Sequence, residues 1–117
     1  MPSPIRGISS MATRNILAAL TEAYQQKTGQ RVEIESVGGV DAAKRIRAGE
    51  AFDLIVLAGD AMAKLDADGF LKVGSRKPVA DSAMAVAVPS GDPAPDLSSE
   101  AALKQCVLKA RTIGFST

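Results

Sequence analysis

Three short apolar runs alternate with helical patterns in the first part of the chain, and this alternation restricts the fold more than any other feature. The runs Ile5–Ser9, Arg31–Val37 and Asp53–Ala58 have the length and composition of β-strands. The last run contains a continuous Leu-Ile-Val-Leu segment, which is typical of a central parallel strand. Because short connections and right-handed crossovers turn a β-α-β-α-β-α order into a parallel sheet covered by helices, the sequence predicts an α/β fold.

The segments between and after these runs carry apolar residues at helical spacing. The predicted helices span Met11–Thr28, Val40–Gly49 and from Asp60 to about Gly69. Ser10 and Asp60 are expected as N-caps of the first and third helices, and Gly29 as the residue that ends the first.

The second half of the chain is less regular. We expect a strand at Ala83–Pro89, a helix at Ser98–Ala110 capped by Ser98 or Ser99, and another strand at Thr112–Phe115. A strand that finishes the chain would normally lead into a further turn and helix. The sequence is therefore interpreted as the first part of a longer protein, whose unfinished sheet edge would favour self-association, including a homodimer.

Composition excludes several classes of function. Hydrophobic residues make up 46% of the chain and aromatic residues 3%, so the core is expected to consist of Ala, Val, Ile and Leu. A net charge of +1 gives no field that favours nucleic acid. The chain has no His, and the single Cys106 has no partner for a disulfide or a zinc site. Asp66 and Asp68 lack a third ligand, so neither a metal nor a cofactor is predicted.

The chain also lacks the sequence signals of membrane insertion and secretion. No apolar run reaches the length of a membrane span. The start of the sequence has no long apolar signal segment, so the chain as sequenced is expected to stay in the cytoplasm unless a leader was removed.

Two strand-to-helix turns are the candidate binding site. Ser9 and Ser10 end the first strand, and Gly38, Gly39 and Val40 follow the second. Unpaired amides and the positive end of the helix dipole point outward at such turns, so two of them on one sheet predict an anion-binding mouth.

Simpler structural roles remain open for each of these residues. The serines could act only as helix caps, and the glycines could serve a turn with positive φ. Asp41 and Asp60 could be favourable charges or caps at helix N-termini, or they could edge the cleft.

The order and spacing of several motifs identify a family resemblance. The motifs are Ile8-Ser9-Ser10-Met11, Ala-Tyr-x-x-x-Thr-Gly at 23–29, Gly-Glu-Ala-Phe-Asp-Leu at 49–54, and Ala58 and Asp60 followed by Gly69-Phe70-Leu71. Together they resemble the solute-binding proteins of molybdate ABC transporters. The resemblance implies a three-layer, parallel-sheet domain of the type II periplasmic-binding-protein fold, followed here by a truncated second domain.

The resemblance also implies a domain plan and a function. Residues 1–81 would form most of the first domain, residues 82–96 a crossing strand and hinge loop, and residues 97–117 the start of the second domain. The protein would be a non-catalytic periplasmic component that binds a tetrahedral oxyanion such as molybdate or tungstate and delivers it to a membrane permease.

The resemblance implies that two serines of the family bind the ligand. The position of the first is Ser10 in this sequence, and the position of the second is Gly39, where the hydroxyl is missing.

The alternative function is a ligand-sensing effector module of a regulator with the same fold. An enzyme ranks third because His and paired carboxylates are lacking.

Overall fold

The computed structural model describes residues 3–115. Over these residues the chain forms two compact units, one ending at Pro78 and the other beginning at Val79. The elements of the first unit are β1 (Ile5–Ser10), α1 (Arg14–Thr28), β2 (Val32–Val37), α2 (Gly39–Arg47), β3 (Leu54–Val56) and α3 (Gly59–Ala67). The second unit contains α4 (Glu100–Lys109).

The three strands form one parallel sheet with the order β2-β1-β3. Ser10 of β1 is paired with Val37 of β2, and Ser9 is paired with Val56 of β3. The chain passes from β1 to β2 on one side of β1, and it then passes from β2 to β3 on the other side of β1. The α/β prediction is therefore confirmed, and the sheet has a switch point at its carboxyl edge, where ligands bind in folds of this kind.

Helices cover both faces of the sheet. On one face the core consists of Ile8 from β1, Ala42 and Ile46 from α2, and Leu65 from α3. Each large aliphatic side chain buried there contributes roughly 1.5–3 kcal/mol. On the other face α1 lies against β2, and Leu17 is its one buried residue.

Gly7 allows the central strand to lie between its two neighbours. A Cβ atom at this position would lie 3.1 Å from Cγ1 of Ile34 and 3.2 Å from the carbonyl oxygen of Leu54. Both distances are shorter than ordinary contacts, so a side chain here would push β2 or β3 away.

The starts of two helices differ from the sequence prediction. Met11–Thr13 form a 3₁₀ turn before α1, and Ser10 makes no side-chain capping bond to it. The N-cap of α3 is Ala58 and not Asp60, whose carboxylate instead accepts a bond from the amide of Ala61 at 2.9 Å. Gly29 ends α1 with φ of +73°, as predicted.

The second unit has a confirmed helix but not the strands that were expected. Ser99 caps α4 by accepting a hydrogen bond of 3.1 Å from the amide of Ala102. The strand predictions for Ala83–Pro89 and Thr112–Phe115 are wrong, because both segments are irregular and exposed. An alternating apolar pattern forms a strand only beside a partner, and no strand lies in residues 79–115 to pair with them.

Within residues 3–115, no helix is both long enough and apolar enough to cross a membrane.

Candidate functional site

The two predicted turns lie side by side at the carboxyl edge of the sheet. The first turn consists of Ser10 and the 3₁₀ turn after it, and the second consists of Gly38, Gly39 and Val40. A Cβ atom at Gly39 would lie 3.9 Å from the Cβ atom of Ser10, so the turns are in contact distance of each other. The structure therefore brings Ser10, Gly38, Gly39 and Val40 together, as the sequence predicted from parallel strands.

Both turns present backbone donors. In the second turn the amide of Ala42 bonds the carbonyl of Gly38 at 2.9 Å, so the amides of Gly39, Val40 and Asp41 precede the first intrahelical bond. The amide of Ala12 holds the same position in the first turn, whereas the pairing of Ser10 with Val37 directs the amide of Met11 to β2. These donors and the positive ends of the helix dipoles favour an anion at the shared mouth.

The two serines of the first turn have different surroundings. Ser10 is half-buried, and its hydroxyl makes no bond to the helix that follows. Ser9 is completely buried, and its Oγ lies 2.7 Å from Oγ of Ser36 and 3.0 Å from the carbonyl oxygen of Ser10. The Ser10 hydroxyl is thus available to a ligand, whereas the predicted ligand contact through the Ser9 side chain is not compatible with its burial.

The glycines of the second turn are not required by backbone conformation. Gly38 has φ of −56°, and neither Gly38 nor Gly39 is among the described residues with positive φ. The structural alternative of an obligatory left-handed turn is therefore wrong. At Gly39 a Cβ atom would meet Ser10 at an ordinary contact distance, so a small side chain fits there.

Two carboxylates stand near the mouth. Asp41 is exposed and lies in the first turn of α2, where its Oδ2 would be 3.6 Å from a Cβ atom at Gly38. The side chain thus turns back toward the amides of the second turn, where it interacts favourably with the helix dipole and repels an incoming anion. Asp60 lies in the first turn of α3, which follows β3 on the opposite side of β1 from β2.

An arginine in the last turn of α2 ties this helix to the sheet. Arg45 bonds both carboxylate oxygens of Glu35 on β2, at 2.8 and 3.0 Å, and both oxygens of Glu50, at 2.7 and 2.6 Å. These bonds from Arg45 hold the pKa of Glu35 and the pKa of Glu50 below their ordinary values. The sequence did not reveal this clamp, because Glu35 and Arg45 meet only when β2 and α2 pack.

Within residues 3–115, no group of three His, Cys, Asp or Glu side chains is arranged to hold a metal ion. The donors at the mouth are neutral amides and one hydroxyl, which suit an oxyanion or a carboxylate.

Comparison with known proteins gives a family and one named relative. Residues 5–117 match the family described as bacterial extracellular solute-binding protein. The chain is also 31% identical over 121 residues to an aconitate isomerase from Pseudomonas sp. That alignment covers 97% of this chain and 46% of the relative, so the chain spans about half the length of the curated protein that it matches. No solved structure matches.

The family match extends over the parallel sheet, both turns of the mouth and the second unit. The chain belongs to the bacterial extracellular solute-binding protein family.

Proposed function

We propose that the protein is the solute-binding component of an ABC transporter and binds a tetrahedral oxyanion of the molybdate or tungstate type. The proximity of Ser10 and Gly39 carries the proposal, because it places the backbone donors of two helix starts side by side. The ligand contacts are the Ser10 hydroxyl and the amides of Gly39 and Val40.

Neutral donors are well suited to this ligand. Oriented amides and hydroxyls make charge-assisted bonds to an anion without placing a cation in the cleft. A second domain that closes over the mouth would remove water and complete the ligand shell. In this scheme residues 1–81 supply most of the first domain, residues 82–96 the crossing segment, and residues 97–117 the start of the second.

The proposed role sets the location and the partners. A solute-binding component works outside the cytoplasm and delivers its ligand to a membrane permease. A homodimer through an open sheet edge is a further proposed contact, since edge strands offer unpaired backbone groups.

Isothermal titration calorimetry of the complete natural protein tests the proposal. Molybdate, tungstate, sulfate and phosphate are titrated separately, together with cis-aconitate and trans-aconitate. Saturable heat with a tetrahedral oxyanion supports the transporter role. Absence of heat with all four tetrahedral oxyanions would rule that role out.

The named relative favours a second candidate, an isomerase that acts on aconitate or a related carboxylate. A carboxylate is also an oxyanion, so the same amides and the Ser10 hydroxyl would bind it. Asp41 is the carboxylate beside the paired turns and the first group to test in a proton transfer. Conversion of cis-aconitate into its trans isomer, followed by proton NMR, would support this candidate, and its loss in Asp41→Asn with retained binding would assign the proton transfer.

A further inference from the structure

The outer edge of β2 is open in the described part of the chain. β2 stands at the end of the strand order β2-β1-β3, so only its inner side pairs with a neighbouring strand. The amide of Ile5 donates to the carbonyl of Arg31 at 3.0 Å, and the parallel register continues along both strands. Because the backbone direction alternates along a strand, the amides and carbonyls of Val32, Ile34 and Ser36 face the open edge.

The face of β2 beside α2 carries charged side chains along this edge. Arg31 directly precedes β2 and shares this face with Glu33 and Glu35, since successive side chains of a strand point to opposite faces. Arg31 donates to Glu33 at 2.6 Å, and both carboxylate oxygens of Glu35 accept bonds from Arg45 of α2. Charges at a sheet edge oppose pairing with other chains. A further strand can therefore pair with β2 only in a register that brings opposite charges together.

The other face of β2 has room for apolar side chains. Val32 and Ile34 are half-buried there, and they line an open groove together with Leu17, Ala18 and Thr21 of α1. The side chains of Ala18 and Thr21 are small, so the groove stays open beside the strand. A strand added at the edge would bury its own apolar side chains in this groove, which favours pairing.

We infer that the β2 edge pairs with β2 of a second copy of the chain, in an antiparallel register centred on Val32. In this register the amide and the carbonyl of Val32 exchange hydrogen bonds with those of Val32 in the second copy. Arg31 lies opposite Glu33 of the second copy, and Glu33 lies opposite Arg31 of the second copy. Together with the Arg31–Glu33 bond within each strand, these side chains form a ring of alternating charges.

The neighbouring registers lack this complementarity. A register centred on Glu33 places this carboxylate opposite its own copy, and one centred on Arg31 does the same to the guanidinium. A register centred on Ile34 places Glu33 opposite Glu35 of the second copy, and Glu35 opposite Glu33 of the second copy. Like charges directly opposite each other destabilise a strand pair, whereas opposite charges stabilise it. The charge pattern therefore favours a single register.

This contact specifies the edge and the register of the homodimer proposed above, on which it rests. It does not depend on the anion mouth, because Val32 begins β2 and the mouth lies at the carboxyl end of the strand. The mouth stays free in such a dimer. Absence of anion binding would therefore count against the transporter role and leave the test of the dimer unaffected.

Analytical ultracentrifugation of the complete natural protein over a range of concentrations tests the inference. Arg31→Glu places like charges opposite each other, and the double variant Arg31→Glu with Glu33→Arg restores the alternation. Lys109→Glu is the matched control, since it makes the same change of charge on α4. Val32→Pro removes the amide that donates across the edge and keeps the bonds to β1, because this amide faces outward.

We expect the wild type to be in a reversible equilibrium between monomer and dimer. Arg31→Glu should raise the dissociation constant of the dimer by about tenfold or more, because attractive pairs become repulsive. Val32→Pro should be monomeric at the same concentrations, whereas the double variant and Lys109→Glu should dimerise like the wild type. Arg31 is exposed, so its variant tests the inference even if Val32→Pro unfolds.

Amide hydrogen exchange of Val32 and Ile34 distinguishes a second copy from another occupant of the edge. Both amides should exchange rapidly in the dilute monomer and slowly in the dimer. Protection of these amides in the monomer would show that another segment of the protein covers the edge, and it would overturn the inference. A wild type that stays monomeric at every concentration would overturn it as well, as would a dimer that neither Arg31→Glu nor a folded Val32→Pro weakens.

Discussion

The two turns of the mouth occupy equivalent places on neighbouring parallel strands, yet they are built differently. The first turn has a free hydroxyl on Ser10 and is supported from beneath by the buried Ser9. The second turn offers backbone amides of α2 and is followed by the exposed carboxylate of Asp41. From this difference we propose a division of labour, in which the first turn supplies affinity for an anion and the second sets which anion is accepted.

Ser10→Ala should have the largest effect on binding. A hydrogen bond to a charged group contributes about 1.5–3 kcal/mol, so loss of the hydroxyl should weaken anion binding by roughly 10-fold to 150-fold. Stability should change little, because the Ser10 side chain makes no capping bond. Calorimetry and thermal unfolding measure both quantities. Ser75→Ala is the control, since Ser75 donates its hydroxyl to the carbonyl of Lys72 in a loop after α3. Equal affinity in Ser10→Ala and Ser75→Ala would show that the first turn does not bind the anion.

Gly39→Ser should strengthen binding by placing a hydroxyl in the second turn. The new side chain has ordinary contact space beside Ser10 and needs no change of backbone conformation. One added bond to a charged ligand predicts a gain of about tenfold or more. Gly59→Ser is the matched control, since Gly59 is the first residue of α3 and has open space around it. A gain of the same size in both variants would show that the second turn is not specific.

Asp41→Asn should raise affinity for anions by removing a like charge near the mouth. Two charges close to a protein surface interact by about 1–4 kcal/mol at contact distances, so a gain of roughly fivefold is expected for a doubly charged anion in dilute buffer. The gain should be smaller for a singly charged anion and should fall as salt is added. Glu22→Gln on α1 removes the same charge elsewhere and should leave affinity unchanged. Equal affinity for the anion in Asp41→Asn and Glu22→Gln would show that the Asp41 carboxylate does not repel the ligand.

Arg45→Met should have the smallest effect on binding and a clear effect on titration. Removal of Arg45 should raise the pKa of Glu35 and the pKa of Glu50, which its hydrogen bonds lower. A lowered pKa in the folded state stabilises the protein above the unfolded pKa, and this contribution is lost as pH falls through the folded pKa. The variant should therefore be less stable than the wild type at neutral pH and approach it in acid.

Thermal unfolding between pH 3 and pH 7 and carboxyl NMR titration would follow this change. Arg31→Met is the matched control, because Arg31 makes one exposed bond to Glu33. A stability difference between Arg45→Met and the wild type that stays constant with pH would contradict the role assigned to the clamp.

Local patterns in the sequence predicted those parts of the molecule that depend on near neighbours along the chain. The parallel sheet follows from apolar runs separated by helical patterns, and Gly29 and Ser99 act at the helix ends where their types are favoured. The prediction of a strand at 83–89 failed because an apolar alternation describes only one half of a strand pair.

The fine structure of the site depends on pairing between distant residues. Ser36 could be placed beside Ser9 only once the register of β1 and β2 was known, since a shift of one residue would turn it to the other face. The negative φ of Gly38 is likewise not encoded by its residue type, since glycine adopts either sign of φ. The sequence thus predicted the two adjacent turns but not the hydroxyl pair of Ser9 and Ser36 beside the first of them.

An amide-resolved NMR titration of the complete natural protein with molybdate is the most direct test of the paired turns. We expect the ¹⁵N amide signals of Ala12, Gly39 and Val40 to shift together along one saturation curve, because the proposed anion contacts both turns. Shifts confined to one turn, or two different saturation curves, would contradict a single site built from Ser10 and Gly39.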